Sequence, residues 1–228
     1  YWTPATITTF RFIVVGMVIL FYQYFRLGRD MAKLLPRKTD WPWIVFMGIN
    51  GQMLNSVLQF HGLQFTTVTN STLITATTPA ITSVCAYLIL HEAFSKKQWL
   101  GILLAFGGIA LAFAGGVSLE HLDGRMLLGD AMAILAGLAW GATTVVVRGS
   151  RLSEAPATLT LFYQLAVGFV GLLLIALVSG QIADFSLTPL AVGSVLFQGI
   201  VVSFVSYLTW FWLLRRYLAS NLAVFSFI

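Results

Sequence analysis

The chain is a succession of apolar stretches separated by short polar connections. A helix that crosses the roughly 30 Å hydrocarbon layer needs about 20 mostly apolar residues, because it rises about 1.5 Å per residue. Stretches of this kind fall at about residues 4–25, 42–60, 69–90, 98–116, 127–147, 157–178, 189–214 and from 219 onward. The pattern predicts eight spans, the last incomplete. Pro4, Pro42 and Pro189 stand near proposed helix starts, where the missing amide proton costs nothing. The stretches are apolar all round, which favours helices over the alternating, ten-residue strands of a barrel. The predicted fold class is therefore all-α, a polytopic transmembrane helix bundle.

Composition points the same way. Hydrophobic residues make up 58% and charged residues 9%, with a mean hydropathy of +0.88, against about 45–50% and about 25% in a soluble domain. The net charge of +5 is carried by clusters between apolar runs, with no basic stripe or groove, so nucleic acid is not an expected partner. Cys85 is the single cysteine, which excludes a disulfide framework and a cysteine zinc site. The chain begins at Tyr1 and stops at Ile228 inside an apolar run, and both ends read as cuts in a longer protein.

Charge also sets an expected orientation. If the connections alternate sides, one side receives Arg26, Arg29, Lys33, Arg37, Lys38, Lys96, Lys97, Arg148, Arg151, Arg215 and Arg216; the other receives Arg125, and Arg11 lies within the first span. Basic residues stay preferentially on the cytoplasmic face. Loops 26–41, 91–97, 148–156 and 215–218 are thus expected inside. Trp2, Trp41, Trp43 and Trp99 stand near proposed interfaces, as amphipathic indoles do.

The chain also resembles itself. Pro4, Ala5, Thr6, Thr8 and Phe10 recur 152 residues later as Pro156, Ala157, Thr158, Thr160 and Phe162; at 151, Gly48, Phe60, Leu63 and Asn70 match Gly199, Phe211, Leu214 and Asn221. Five spans begin between the two proline motifs, an odd number, so the copies are expected to cross the bilayer in opposite directions. Inverted-topology repeats are characteristic of transporters. The expected repeats are 1–116, lacking a first helix, and 127–228, truncated at its end; the intact protein would have five plus five spans.

Pro4 followed by Arg11-Phe12, the run Leu90-His91-Glu92 with Gln98-Trp99-Leu100-Gly101, and the Gly137 to Trp140 stretch leading to Arg148 resemble the EamA branch of the drug/metabolite transporter superfamily. The resemblance covers essentially the whole chain. It implies ten spans in two inverted repeats, both ends cytoplasmic, a bacterial plasma-membrane location, and export or uptake of small organic metabolites. One departure is His91, where many relatives carry Gly before the Glu.

Polar groups inside hydrocarbon cost free energy unless a neighbouring helix or a water-filled cavity satisfies them. Gln52, Asn55 and Gln59 fall on one face of a regular helix, with Ser56 beside them. Adding 151 to Gln52 and Asn55 reaches Ser203 and Ser206, and Gln198, Ser206, Tyr207 and Trp210 follow helical spacing in the second copy. These residues are candidates for a cavity at the bilayer midplane, in competition with hydrogen bonding between packed helices. Thr77, Trp140 and Thr144 are further candidates, although Gly137 and Gly141 also make a small-residue packing face. Pro79 is a candidate hinge, since it frees the Thr75 carbonyl; compensation by the neighbouring hydroxyls is the alternative. Arg11 is read first as a structural residue whose head reaches the outer surface. Glu92 and Lys96, four apart, are expected to form an ordinary ion pair.

Rival classes are weaker. His91-Glu92 begins like a zinc-protease helix, but Ser95 stands where the second histidine ligand would be. There is no phosphate-binding glycine loop, no nucleophile with a recognisable base, and no ring of carbonyls or like charges for a channel. The expected activity is secondary transport, by alternating access, of a neutral, zwitterionic or amphipathic solute such as an amino acid, with an integral membrane enzyme or a non-transporting scaffold or sensor as the alternatives. No catalytic residue, metal or cofactor is expected. The expected partners are the solute and the lipid bilayer, with a homodimer left open. Gly101, Ala105, Gly108 and Ala112 are expected to let helices approach closely.

Overall fold

The computed structural model describes residues 4–27, 35–116, 124–180, 188–218 and 222. The readings that fall on Trp2, Arg29, Lys33, Asn221 and the stretch from 219 onward, Leu222 excepted, lie outside these residues. All regular structure among the described residues is helical. In chain order the helices are α1 (Pro4–Leu27), α2 (Trp41–Phe46), α3 (Asn55–Gly62), α4 (Val68–Thr75), α5 (Thr78–Leu90), α6 (Lys96–Gly116), α7 (Gly124–Gly149), α8 (Ala157–Val178), α9 (Pro189–Phe197) and α10 (Tyr207–Leu214). Two π-helical segments interrupt this series. Segment πA (Met47–Leu54) joins α2 to α3, and πB (Gln198–Ser206) joins α9 to α10.

Five of the stretches are long and apolar enough to cross a membrane: Thr6–Phe25, Val68–Leu90, Gly124–Gly149, Ala157–Val178 and Pro189–Leu214. Prolines open the helices as expected. Pro4 and Pro189 are the first residues of α1 and α9, Pro42 is the second of α2, and the Thr188 hydroxyl caps α9 by accepting from Ala191 N–H at 3.2 Å. Burial runs opposite to that of a water-soluble protein. Leu103, Leu104, Leu111, Leu174, Leu190 and Phe197 are exposed, whereas Thr6, Thr8, Gln52, Gln164 and Ser203 are buried. An apolar surface this extensive marks contact with lipid.

The chain forms two compact units, each built from two separate stretches of sequence. The first comprises 1–53 and 150–216; the second comprises 54–149 and 217–228. In the first unit α1 packs on α8, α9 and πB, and α2 packs on α8. Glycines set the close approaches. A Cβ on Gly48 would lie 2.5 Å from Val167 Cβ and 2.8 Å from the Gln164 carbonyl, and one on Gly199 would lie 2.6 Å from Val14 Cγ1 and 3.4 Å from the Arg11 carbonyl. Gly168 makes room for Gln52 in the same way, and Gly171 for Met53. The α2–πA stretch therefore runs parallel to α8. Likewise Gly199 beside Val14, and Phe204 6.0 Å from Tyr22, make πB parallel to α1.

In the second unit α7 is the central helix, contacted by α3, α4 and α5. Thr78 meets Gly137, Thr82 meets Gly141 and Leu90 meets Gly149, so α5 and α7 run parallel. Asn55 bonds to Ala136 while Gly62 meets Gly129, so α3 and α7 run antiparallel. All four directions are those that alternating crossings require. The small-residue face at Gly137 and Gly141 is a packing face, as its spacing predicts. Gly101 and Gly108 on α6 instead have open space beside them, because α6 turns its apolar side chains outward and makes few contacts.

Connections assigned to one side of the bilayer also meet within each unit. Leu35, Pro36, Arg37 and Asp40 line one recess with Arg151, Glu154, Ala155, Pro156 and Leu159. Glu92 reaches Arg148, with Arg148 Nε 3.7 Å from Glu92 Oε1, a basic partner other than Lys96, the one that sequence spacing selects. At the opposite end of α7, the Thr66 hydroxyl donates to Asp130 Oδ1 at 2.5 Å.

Candidate functional site

The expected single face of Gln52, Asn55 and Gln59 does not survive in the fold. The π-helical winding of πA, with its i to i+5 bonding, changes the register between Gln52 and Asn55. Gln52 is buried against Gly168, and its amide nitrogen has no partner. Asn55 Nδ2 instead donates to the Ala136 carbonyl at 2.7 Å. That is the interhelical bond of the competing reading. Gln59 is half-buried on α3.

Second-copy candidates are affected similarly. Gln198 opens πB and is half-buried, whereas Ser206, at its end, is exposed. Tyr207 and Trp210 are half-buried on α10, and the indole Nε1 of Trp210 is buried without a partner. Beyond α10, the half-buried Arg215 has Nη2 without a partner, and burial lowers its guanidinium from the usual value. Arg216 lies over the Trp212 ring at 4.2 Å.

Thr77, Trp140 and Thr144 belong to the second unit. Trp140 is half-buried, while the buried Thr144 hydroxyl bonds to the Trp140 carbonyl at 3.3 Å within α7. Pro79 is the second residue of α5, and the stretch breaks between α4 and α5 at Ala76 and Thr77. The break is locally compensated. Thr77 N–H and its hydroxyl both bond to the Ile74 carbonyl, at 2.9 and 2.6 Å, and the Thr75 hydroxyl bonds to the Ser71 carbonyl at 2.7 Å.

Sequence reasoning missed the strongest polar feature of the first unit. Gln164 is completely buried in α8, with neither its amide nitrogen nor its oxygen partnered, and Ser203 and Thr160 are buried with unpartnered hydroxyls. The signal was available: Gln164 is the one amide in the apolar stretch 157–178. Arg11, read as structural, has a buried and unpartnered Nε, with its guanidinium 5.1 Å from the Phe12 ring.

His91 has a physical explanation. It ends α5 with φ of 53°, and Glu92 N–H reaches back to the Ala86 carbonyl at 3.4 Å. A left-handed residue closing a helix is where glycine is favoured.

The sequence matches the EamA-like transporter family over residues 1–114 and 127–228. The chain belongs to that family. An uncharacterized transporter of Archaeoglobus fulgidus is 26% identical over 225 residues, which cover 99% of this chain and 75% of that protein. The uncharacterized transporter YyaM of Bacillus subtilis is 30% identical over 212 residues, 92% of this chain and 68% of the relative. An S-adenosylmethionine/S-adenosylhomocysteine transporter of Chlamydia muridarum is 26% identical over 136 residues, 59% of this chain and 42% of that protein. A crystal structure of another protein matches with a TM-score of 0.77 at 20% identity, covering 99% of this chain and 74% of that one. The likeness to that structure carries the fold. Membership of the EamA family makes this an integral membrane protein of transporter type. Among the described residues no group of three or more His, Cys, Asp or Glu could hold a metal ion.

Proposed function

We propose that the protein is a secondary transporter moving a small organic metabolite, amino-acid-like or otherwise zwitterionic or amphipathic, across a bacterial plasma membrane by alternating access. The observation that carries this reading is a reciprocal pair of helix contacts. Met47 and Gln198 begin the two π segments 151 residues apart, and each segment places a glycine against a helix of the opposite copy. Gly48 rests on Gln164 and Val167; Gly199 rests on Arg11 and Val14. The glycines are offset by 151, and both pairs of contacts by 153. Thr6 and Thr8, with their counterparts Thr158 and Thr160, are buried alike. Such exchange of contacts supports two inverted repeats, 1–116 and 127–228, within an intact five-plus-five bundle of which eight spans lie in this chain. The two matched family stretches support the same division.

π segments occur frequently at functional sites, where their irregular hydrogen bonding exposes backbone groups and permits rearrangement. In an alternating-access cycle the two segments are the places where helix packing changes, with the break before Pro79 as an additional hinge. In this reading Gln52, Gln198, Tyr207 and Trp210, with Ser206, contact the solute within the first unit; within the second unit Gln59, Thr77, Trp140 and Thr144 are the candidates, with Asn55 fixing α3 on α7. The basic loops 26–41, 91–97, 148–156 and 215–218 face the cytoplasm.

Uptake and efflux by the full-length protein in liposomes, with a metabolite panel and an imposed pH gradient, test the proposal. Saturable movement of at least one metabolite above protein-free vesicles is the expected result. Absence of movement for every member, in either direction and with either gradient, would overturn it.

A further inference from the structure

We propose that Arg11, Gln52, Gln164 and Ser203 form a binding site for the carboxylate end of a small anionic or zwitterionic solute, an inference that rests on the transport reading above. Gln52 is 2% exposed, and Gln164 and Ser203 are 0% exposed. Gln52 Nε2, Gln164 Nε2 and Oε1, Ser203 Oγ and Arg11 Nε all lack a hydrogen-bond partner. In an apolar interior an amide or hydroxyl left unpaired costs several kcal/mol, so groups of this kind persist where water or a ligand takes the missing bonds.

The four residues lie on elements of the first unit that pack on one another, α1 on α8 and πB, and α2 with πA on α8. The Cβ of Gln52 lies against Gly168, where a methyl group would stand 2.6 Å from it, and the second neighbour of that space is the Phe12 ring, adjacent in sequence to Arg11. Gln164 precedes Gly168 by one turn of α8, and its carbonyl faces Gly48, one turn before Gln52. Gly199 faces the Arg11 carbonyl, and Ser203 follows it by four residues in πB. Gln52 and Ser203 correspond at the offset of 151, and both carry an unsatisfied polar atom. Arg11 and Gln164, whose backbone carbonyls face the corresponding glycines Gly199 and Gly48, carry unsatisfied polar atoms as well.

Charge decides the class of ligand. Arg11 brings a cation to the interior of the first unit, where the described carboxylates, Asp40 and Glu154, lie instead in the recess with Arg37 and Arg151. Its guanidinium lies against the face of Phe12. A guanidinium fork matches a carboxylate with two parallel hydrogen bonds. The Gln164 amide has both a donor and an acceptor to offer, so its oxygen can take an ammonium or hydroxyl of the same solute while Gln52 and Ser203 complete the shell.

The test uses the purified full-length protein and the common L-amino acids, each against its carboxamide. Ligand-induced shifts in melting temperature are read in detergent, and competition for transport is read in liposomes. At least one free acid is expected to bind about tenfold or more tightly than its amide, because a site built around a charged donor rejects the ligand that lacks its partner. Arg11→Gln should erase that preference and Arg11→Lys should keep part of it. Gln164→Leu should weaken binding about tenfold without lowering the ligand-free melting temperature, and Gly168→Ala should weaken binding by displacing Gln52. The Gln164 and Gly168 variants keep the test decisive if Arg11→Gln does not fold. Free acids that bind no better than amides, a preference unchanged in Arg11→Gln, or Gln164→Leu that melts lower yet binds normally would overturn the inference. Transport that persists with any of these results leaves the function standing and removes only the site; absence of all transport removes both.

Discussion

The two units differ in how many of their described buried polar atoms find a partner. In the second unit Asn55 is bonded to Ala136, Thr66 to Asp130, Thr143 to Ala139 at 3.1 Å, and Glu92 to Arg148; among the described residues Asn70 Nδ2 and Thr82 Oγ1 are its unpartnered buried atoms. The first unit holds Arg11, Gln52, Thr160, Gln164, Ser203, Trp210 and Arg215, each with at least one buried atom lacking a partner. Both units use glycines for close packing, so the difference does not come from looser helices. It teaches that the second unit satisfies its described polar side chains across and within its helices, while more of the buried polar atoms of the first unit are left without a partner.

The largest expected effect tests the packing that both units share. Gly129 faces the Gly62 carbonyl and Thr66 N–H at 2.7 and 2.8 Å from a would-be Cβ, backbone groups that cannot turn aside. Gly129→Val should destabilise by about 3 kcal/mol, read as a drop in melting temperature or loss of a monodisperse peak in detergent. Gly101→Ala, with open space beside it, should stay within about 0.5 kcal/mol. Equal losses in the two variants would show that α7 packing is not what the glycines serve.

Next comes the ion pair. Glu92 is buried and Arg148 partly exposed, so Arg148→Ala leaves a carboxylate in a poorly solvated place and should cost about 1–2 kcal/mol by thermal or denaturant unfolding. The comparison of units itself is sharpened by a matched pair of substitutions. Asn55→Leu should lose about 1 kcal/mol, since it removes an interhelical bond to the Ala136 carbonyl. Gln164→Leu should lose nothing or gain, since it removes two unsatisfied atoms, while transport falls. If both lose stability alike, the first unit's polar groups are ordinary packing. The smallest effect is His91→Gly, which relieves a left-handed backbone and should stabilise by about 0.5 kcal/mol, read as a small rise in melting temperature.

Much of the fold was legible in the residues. Apolar runs of about 20 residues marked the helices, proline positions marked their starts, and the loops grouped by charge do meet within each unit, as Arg37 and Arg151 do in one recess. Spacing also identified Gly137 and Gly141 as a packing face. What escaped was everything that depends on winding and partners. The π turns break the regular helical face on which Gln52, Asn55 and Gln59 were aligned, because a local change in hydrogen-bond register carries no residue signature of its own. Whether an amide is satisfied is a tertiary fact, so Asn55 and Gln164 look alike in sequence and differ in the fold. Glu92 chose a partner 56 positions away, and no helical spacing rule reaches that far.

The account stands on connections being sorted to two faces by alternating helix crossings. Cysteines placed singly at Arg37, Arg151, Leu63 and Arg125, in a Cys85→Ser background of the full-length protein, test this by reaction with a membrane-impermeant thiol reagent in intact cells and in inverted vesicles. The account predicts that positions 37 and 151 react only in inverted vesicles and positions 63 and 125 only in intact cells. Labelling of 37 and 151 from opposite faces would contradict it.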